Sequence, residues 1–170
     1  MELHGSCHCG KTSFDVISQT PVPFMHCYCS ICRKCQGGGG YVVNIMGLYK
    51  TLKLHGEEYM KTYQAVLDKS VPVEQQELCG NIRYFCGECG SHLFAYDKQW
   101  AEWCYPYASA IDTDLPVPKP EDIHRLMLNK KSKCNWADTP PVDNKRNFSE
   151  YPNTSLEDWH KKNHQFIERK

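Results

Sequence analysis

His26-Cys27-Tyr28-Cys29-Ser30-Ile31-Cys32-Arg33-Lys34-Cys35 places four thiols within nine residues, at Cys27, Cys29, Cys32 and Cys35. A hydrophobic core has no need of thiols packed so tightly along the chain. A soft divalent metal does, because thiolates at one- and two-residue spacings can turn back onto a single ion about 2.3 Å away. Two shorter pairs flank this run, Cys7-His8-Cys9 near the start and Cys86-Gly87-Glu88-Cys89 past the middle. A disulfide-rich or scattered-cysteine reading suits such short turns less well than metal ligation does. The chain therefore reads as a metal-binding protein.

Length and composition narrow the class. A chain of 170 residues is expected to form a single domain over residues 1–170. Its 41% hydrophobic and 24% charged content is that of an ordinary globular protein. Lysine plus arginine equals aspartate plus glutamate at 20 each, which argues against a general nucleic-acid or anionic-membrane binder. If seven cysteines bind two zinc ions as thiolates, the charge falls to about −3, since ligands lose protons on binding. Met1-Glu2-Leu3-His4-Gly5 lacks the basic and apolar regions of an export signal, and no apolar run approaches membrane-spanning length. The eleven cysteines are accordingly expected in a reducing compartment, the cytoplasm or also the nucleus, where metal rather than disulfide holds them.

Along the chain, β-forming residues dominate. Residues 11–17 read as a strand, and Thr20-Pro21-Val22-Pro23 as an extended connector that neither proline lets continue as helix or ladder. After the central cluster, the glycines at 37–40 form either a flexible connector or a backbone-lined wall beside the metal. Residues 41–46, 48–55 and 59–66 read as strands, the last two joined by a hairpin turn at His55-Gly56-Glu57-Glu58. Residues 68–77 form a polar surface loop. A strand then runs into Cys86, and residues 92–96 and 103–111 read as further strands whose aromatic rings fill the core. Residues 121–128 are assigned to a short helix behind Pro120, residues 139–153 to a proline- and asparagine-rich loop. Residues 156–167 form a closing helix capped by Ser155. The expected class is mainly β, with several short antiparallel strands and a short C-terminal helix.

Cys7-x-Cys9 and Cys86-x-x-Cys89 can each supply half of a tetrahedral four-thiolate site. Such a site is closed and structural. Cys27, Cys29 and Cys32 remain for a second ion, and three protein ligands leave one tetrahedral position for water or substrate. Spacing alone also allows a zinc ribbon in which Cys29 and Cys32 pair with Cys86 and Cys89. Iron–sulfur ligation fits the spacing less well.

Three motifs, Gly5-Ser6-Cys7-His8-Cys9-Gly10, His26-Cys27-Tyr28-Cys29-Ser30-Ile31-Cys32-Arg33-Lys34 and Phe85-Cys86-Gly87-Glu88-Cys89-Gly90-Ser91, resemble the signatures of the glutathione-dependent formaldehyde-activating enzyme family. The same domain occurs in the centromere protein CENP-V. The likeness runs from Gly5 to about Ile111 and continues loosely through Asp122-Ile123-His124 and Trp136. It implies a β-tent fold with a core of about residues 5–136 and an extension over 137–170. It further implies a structural zinc on Cys7, Cys9, Cys86 and Cys89 and a second zinc on Cys27, Cys29 and Cys32. The departure is Cys35, where the family more often has a small non-thiol residue.

The resemblance implies addition of the glutathione thiol to formaldehyde, a reaction classed in reverse as a carbon–sulfur lyase. Three thiolates on zinc leave a net charge of about −1, a poor setting for activating water but a good one for a soft sulfur ligand. Arg33 and Lys34 are candidate partners for a substrate carboxylate, or else solvated surface. His8 and His26, beside the ligands, either orient or replace a thiolate or are ordinary hydrogen-bonded histidines. Cys79, Cys104 and Cys134 read as buried small hydrophobes. Cys35 either closes the second site or stands beside it as a free thiol, and the second case is the expectation. The alternative to an enzyme is a zinc-stabilised protein-binding module.

Overall fold

The computed structural model describes residues 1–36 and 38–165. In chain order the strands and helices are β1 (Glu2–Ser6), β2 (Ser13–Ile17), β3 (Phe24–Cys27), α1 (Ser30–Gln36), β4 (Val42–Asn44), β5 (Gly47–Leu48) and β6 (Lys53–His55). They continue with β7 (Met60–Val66), β8 (Leu78–Cys86), β9 (His92–Asp97), β10 (Trp103–Pro106), β11 (Ile123–Leu126) and α2 (Leu156–Lys162). Three sheets result, in the orders β1-β2-β6, β5-β10-β9-β8-β7 and β11-β3-β4. The fold is mainly β, as the residue pattern implied.

The first sheet shows why. In β1 and β2 alternate residues turn inward, so Leu3, Phe14 and Val16 are buried while Glu2 and His4 face out, the period-2 signature of a half-buried sheet. Leu3, Phe14, Ile45, Leu93 and Phe94 form the main core between the first two sheets. Each such side chain contributes roughly 1.5–3 kcal/mol by leaving water. Phe94 meets Phe14 edge-on at 6.0 Å and stacks on Tyr84 at 4.4 Å. Gly5 sits opposite Phe14 in the register, where a Cβ would collide with that ring and with the Ala110 carbonyl. Cys7 and Cys86 belong to the same core, so the first cysteine pair is anchored by packing.

Several expectations change. Residues 121–128 are not a helix: after one 3-10 turn at Pro120–Asp122 the chain becomes β11, which pairs in parallel with β3. The alternation of half-buried Ile123 and Arg125 with buried His124 and Leu126 suits a strand, and local propensity yields to this long-range pairing. The expected strand over 48–55 is interrupted by a 3-10 turn at Tyr49–Thr51, and β6 and β7 lie in different sheets, so Gly56 does not close a hairpin. Gly56 instead adopts φ +68° against the Lys11 carbonyl, which excludes a Cβ. The cysteine-dense run is not all turn, because residues from Ser30 to Gln36 form α1. Of the glycine run, Gly38 and Gly40 have positive φ, while Gly37 lies outside the described residues. No helix is long and apolar enough to cross a membrane among the described residues.

The closing helix is shorter than expected, and residues 166–167 of that assignment lie outside the described residues. Ser155 caps α2 as anticipated, accepting from the Asp158 N–H at 3.0 Å. Seven residues make a marginal helix in isolation, and docking holds this one. His160 is fully buried and donates from Nε2 to the Val22 carbonyl at 2.7 Å, while Trp159 meets His124 edge-on at 5.3 Å. Burial lowers the pKa of both histidines; the Val22 contact opposes the shift at His160, and Arg146 adds to it at His124. Undocked histidine titrates near 6.5, so the undocked state takes up protons first. Docking is therefore expected to be at full strength above pH 6.5 and to weaken as pH falls below it. Trp159 fluorescence is expected to change across that window in the wild type and much less in His160→Gln; identical profiles would contradict this account.

Candidate metal centres

The first centre is built from two similar turns. After β1, the Gly10 N–H bonds to the Cys7 carbonyl at 3.0 Å, and the Cys7 N–H to the Thr12 carbonyl at 3.0 Å. After β8, the Gly90 N–H bonds to the Cys86 carbonyl and the Cys86 N–H to the Ser91 carbonyl, both at 2.9 Å. Gly10 and Gly90 close these turns with φ of +75° and +76°, values that favour glycine. The turns present Cys7, Cys9, Cys86 and Cys89 with all four sulfurs within 4.8 Å of one another. Cys7 and Cys9 sulfurs lie 3.5 Å apart, and those of Cys9 and Cys86 3.7 Å. A tetrahedron with 2.3 Å metal–sulfur bonds has edges of about 3.8 Å. The set therefore fits a soft divalent ion.

The surroundings favour thiolates at Cys7 and Cys89. The Thr12 N–H donates to Cys7 Sγ at 3.3 Å, and Ser91 Oγ lies 3.2 Å from Cys89 Sγ. The Ser91 hydroxyl holds Cys89 down to about 5. At Cys9 the Lys11 backbone contact favours the thiolate, but burial and the neighbouring thiols outweigh it and push the pKa up to about 12. Thiols this close cannot all ionise without a cation to share. Cys9 and Cys89 are exposed, and Lys11 and Glu88 pair at 2.8 Å across the two turns.

The second centre lies where β3 runs into α1. Cys27 ends β3, Cys29 follows in the connection and Cys32 sits in the first turn of α1. Their sulfurs also lie within 4.8 Å of one another, and none of the three residues is more than 8% exposed. Start-of-helix geometry supplies a donor, the Cys32 N–H, to Cys29 Sγ at 3.3 Å. Hydrogen bonds from Cys27, then Cys32, lower Cys29 to about 2, while the same contacts from Cys29 and Cys32, with burial, push Cys27 up. Two side chains from far along the chain reach this cluster. Arg83 of β8 donates from Nη2 to Cys32 Sγ at 3.6 Å, and Tyr151 Oη lies 3.9 Å from Cys27 Sγ. Sequence reasoning missed both. The available signal for Arg83 was a lone charge in the strand-forming run Ile82-Arg83-Tyr84-Phe85; Tyr151, in an irregular segment, gave none.

The seven sulfurs thus fall into groups of four and three, and Cys29 and Cys32 do not cluster with Cys86 and Cys89. Cys35, on α1, is outside both groups and half-buried. It lines a cleft of about 530 Å³ that extends past Gln36, Ser109 and His92 to Ser91 and Cys7 at the first centre. Arg33 donates from Nε to the Ser132 carbonyl at 3.1 Å, and Lys34 is exposed. His26 stacks on Tyr41 at 4.5 Å, with burial and then the Arg125 charge lowering it to about 4. His8 is exposed and its backbone N–H bonds to Ser91 Oγ at 3.1 Å. Cys104 is fully buried in the core; Cys79 and Cys134 are only partly buried.

Residues 2–122 match the family model described as glutathione-dependent formaldehyde-activating enzyme. A Halomonas elongata protein named "Putative glutathione-dependent formaldehyde-activating enzyme" is 44% identical over 160 residues, covering 94% of this chain and 95% of that protein. An Emericella nidulans protein of the same name is 27% identical over 88 residues, 52% of this chain and 39% of its own length. A Rhodobacter sphaeroides protein of known crystal structure has a similar fold, with a TM-score of 0.50 and 20% identity over 66% of this chain and 91% of that one.

The two centres are expected to respond differently to loss of a ligand. Cys86→Ser, in the core-anchored first group, should release one metal equivalent and cost several kcal/mol of stability, less than the ~10 kcal/mol typical of small zinc modules. Cys27→Ser should release the other equivalent with a smaller fall in melting temperature. Metal content and melting curves test both, and a Cys86→Ser protein that keeps two equivalents and its melting temperature would refute the grouping.

Proposed function

The chain belongs to the glutathione-dependent formaldehyde-activating enzyme family, and from that membership we propose that it is a zinc-dependent carbon–sulfur lyase joining the thiol of glutathione to formaldehyde or a related small carbonyl. The observation that carries this is the division of seven thiols into four and three, with a cleft that runs from Cys7 of the larger group to Cys35 on α1, the helix that also carries Cys32. Cys7, Cys9, Cys86 and Cys89 would hold a structural zinc, and Cys27, Cys29 and Cys32 a second zinc with a position left for substrate. Zinc held by three thiolates favours a soft sulfur as fourth ligand and lowers the pKa of a thiol bound there.

The remaining chemistry is assigned to this chain's own side chains. The glutathione thiol gives up its proton to solvent, its sulfur forms a bond to the carbonyl carbon, the carbonyl π pair moves to oxygen, and that oxygen takes a proton from a donor that solvent then reprotonates, so the adduct keeps every atom of thiol and carbonyl. Tyr151 is the candidate donor. Burial first, and then the thiolates of Cys27, Cys29 and Cys32, push its pKa up, which keeps the phenol protonated at neutral pH. Although 60% of the residue is exposed, its hydroxyl is the part that faces Cys27. Arg33 and Lys34, on the helix whose end lines the cleft, are proposed to meet a carboxylate of glutathione. Cys35 is proposed as a free thiol beside the open position, not a ligand. A reducing location such as the cytoplasm suits eleven unpaired cysteines.

Calorimetry with glutathione tests this reading. The zinc-loaded wild type and Cys35→Ala are expected to bind it and to keep both ions. Cys29→Ser should lose binding while its circular dichroism stays close to that of the wild type. A wild type that holds two zinc ions and does not bind glutathione would refute formaldehyde activation and leave a zinc-stabilised protein-binding module.

A further inference from the structure

Arg83 is the one Arg, Lys, Asp or Glu residue that is buried among the described residues, with 5% exposure. It stands in β8 opposite Ala95 of β9, and Ala95 packs with Cys27, Cys29, Cys32 and Tyr107. The strand register thus aims the guanidinium at the second thiol group, where Nη2 donates to Cys32 Sγ. Nε and Nη1 are equally buried and have no acceptor among the described residues. A guanidinium keeps its charge in proteins and carries five N–H donors, so burying it with donors unmatched is costly. It remains a cation with donors to offer.

Charge counting says to what. A divalent ion on three thiolates carries about −1, and a fourth thiolate would bring it to about −2 in a buried setting. We propose that Arg83 is the anion-selecting residue of the second centre: its buried guanidinium balances an anionic fourth ligand and donates N–H groups to it, so that the centre takes a thiolate or another small anion in preference to a neutral donor such as imidazole. This rests on the reading above in which the second centre holds a metal with an open position. Arg83 is a positioning and selectivity residue in this scheme. It is distinct from Arg33, which is tied to the Ser132 carbonyl on the helix.

The test uses the full chain loaded with cobalt(II), whose ligand-field and sulfur charge-transfer bands report a change of ligand. Difference spectra are recorded on titration with 2-mercaptoethanol, with cyanate and with imidazole, for the wild type, Arg83→Met, Arg83→Gln and Arg83→Lys. The two neutral variants are expected to bind both anionic ligands roughly tenfold more weakly or worse, the order of one charge-assisted hydrogen bond. Imidazole binding should be unchanged, and Arg83→Lys should recover part of the anion affinity. Equal losses for anions and imidazole, or no loss for either, would overturn the proposal. So would a second centre that empties in both neutral variants, since Arg83 would then be a counter-ion for the ligands themselves. Because glutathione is not the probe, a wild type that binds cyanate with this Arg83 dependence but ignores glutathione would refute the functional reading and leave this proposal standing.

Discussion

Everything in this molecule depends on how thiols that repel one another as anions are held together. Cys9 and Cys86 are 77 positions apart in the chain, yet their sulfurs are 3.7 Å apart. No hydrophobic contact requires that approach, and a shared soft cation does. Closing it joins the turn after β1 in the first sheet to the turn after β8 in the second. The core of Leu3, Phe14, Leu93 and Phe94 lies directly behind, with Cys7 and Cys86 as members. Packing and ligation therefore fix the same geometry.

The two groups dispose of their charge in different ways. In the first, Cys9 and Cys89 are exposed, so solvent can screen a fully thiolate-coordinated ion. In the second, all three cysteines are buried, and the buried guanidinium of Arg83 on β8 reaches them at Cys32 Sγ. One strand thus carries Cys86 for the first group and Arg83 for the second. On the function proposed above, this difference in burial is what would suit one group to a structural role and the other to chemistry at a buried position.

What was legible in the sequence was whatever is local. Metal-ligand spacing within a turn is a property of a few residues, so the cysteine motifs identified the family, and runs of β-forming residues the mainly β class, without any tertiary information. The capping serine of α2 was legible for the same reason. Failures came where distant contacts decide. Residues 123–126 became a strand because β3 offered a parallel edge, which overrode the helical cue of Pro120. The short α1 was hidden inside a run read as turn. Arg83 and Tyr151 reach Cys32 and Cys27 across 51 and 124 positions, separations at which sequence pattern does not reveal the partner.

The central claim is that the larger thiol group is closed and the smaller one open to a sulfur ligand. Cadmium-113 NMR of the cadmium-loaded protein during titration with glutathione tests it most directly, since the shift of each bound ion reports its own sulfur ligands. The account predicts two resonances from thiolate-rich sites, one unmoved throughout and the other shifting as glutathione is added. Two resonances that both stay fixed, or a single resonance, would contradict it.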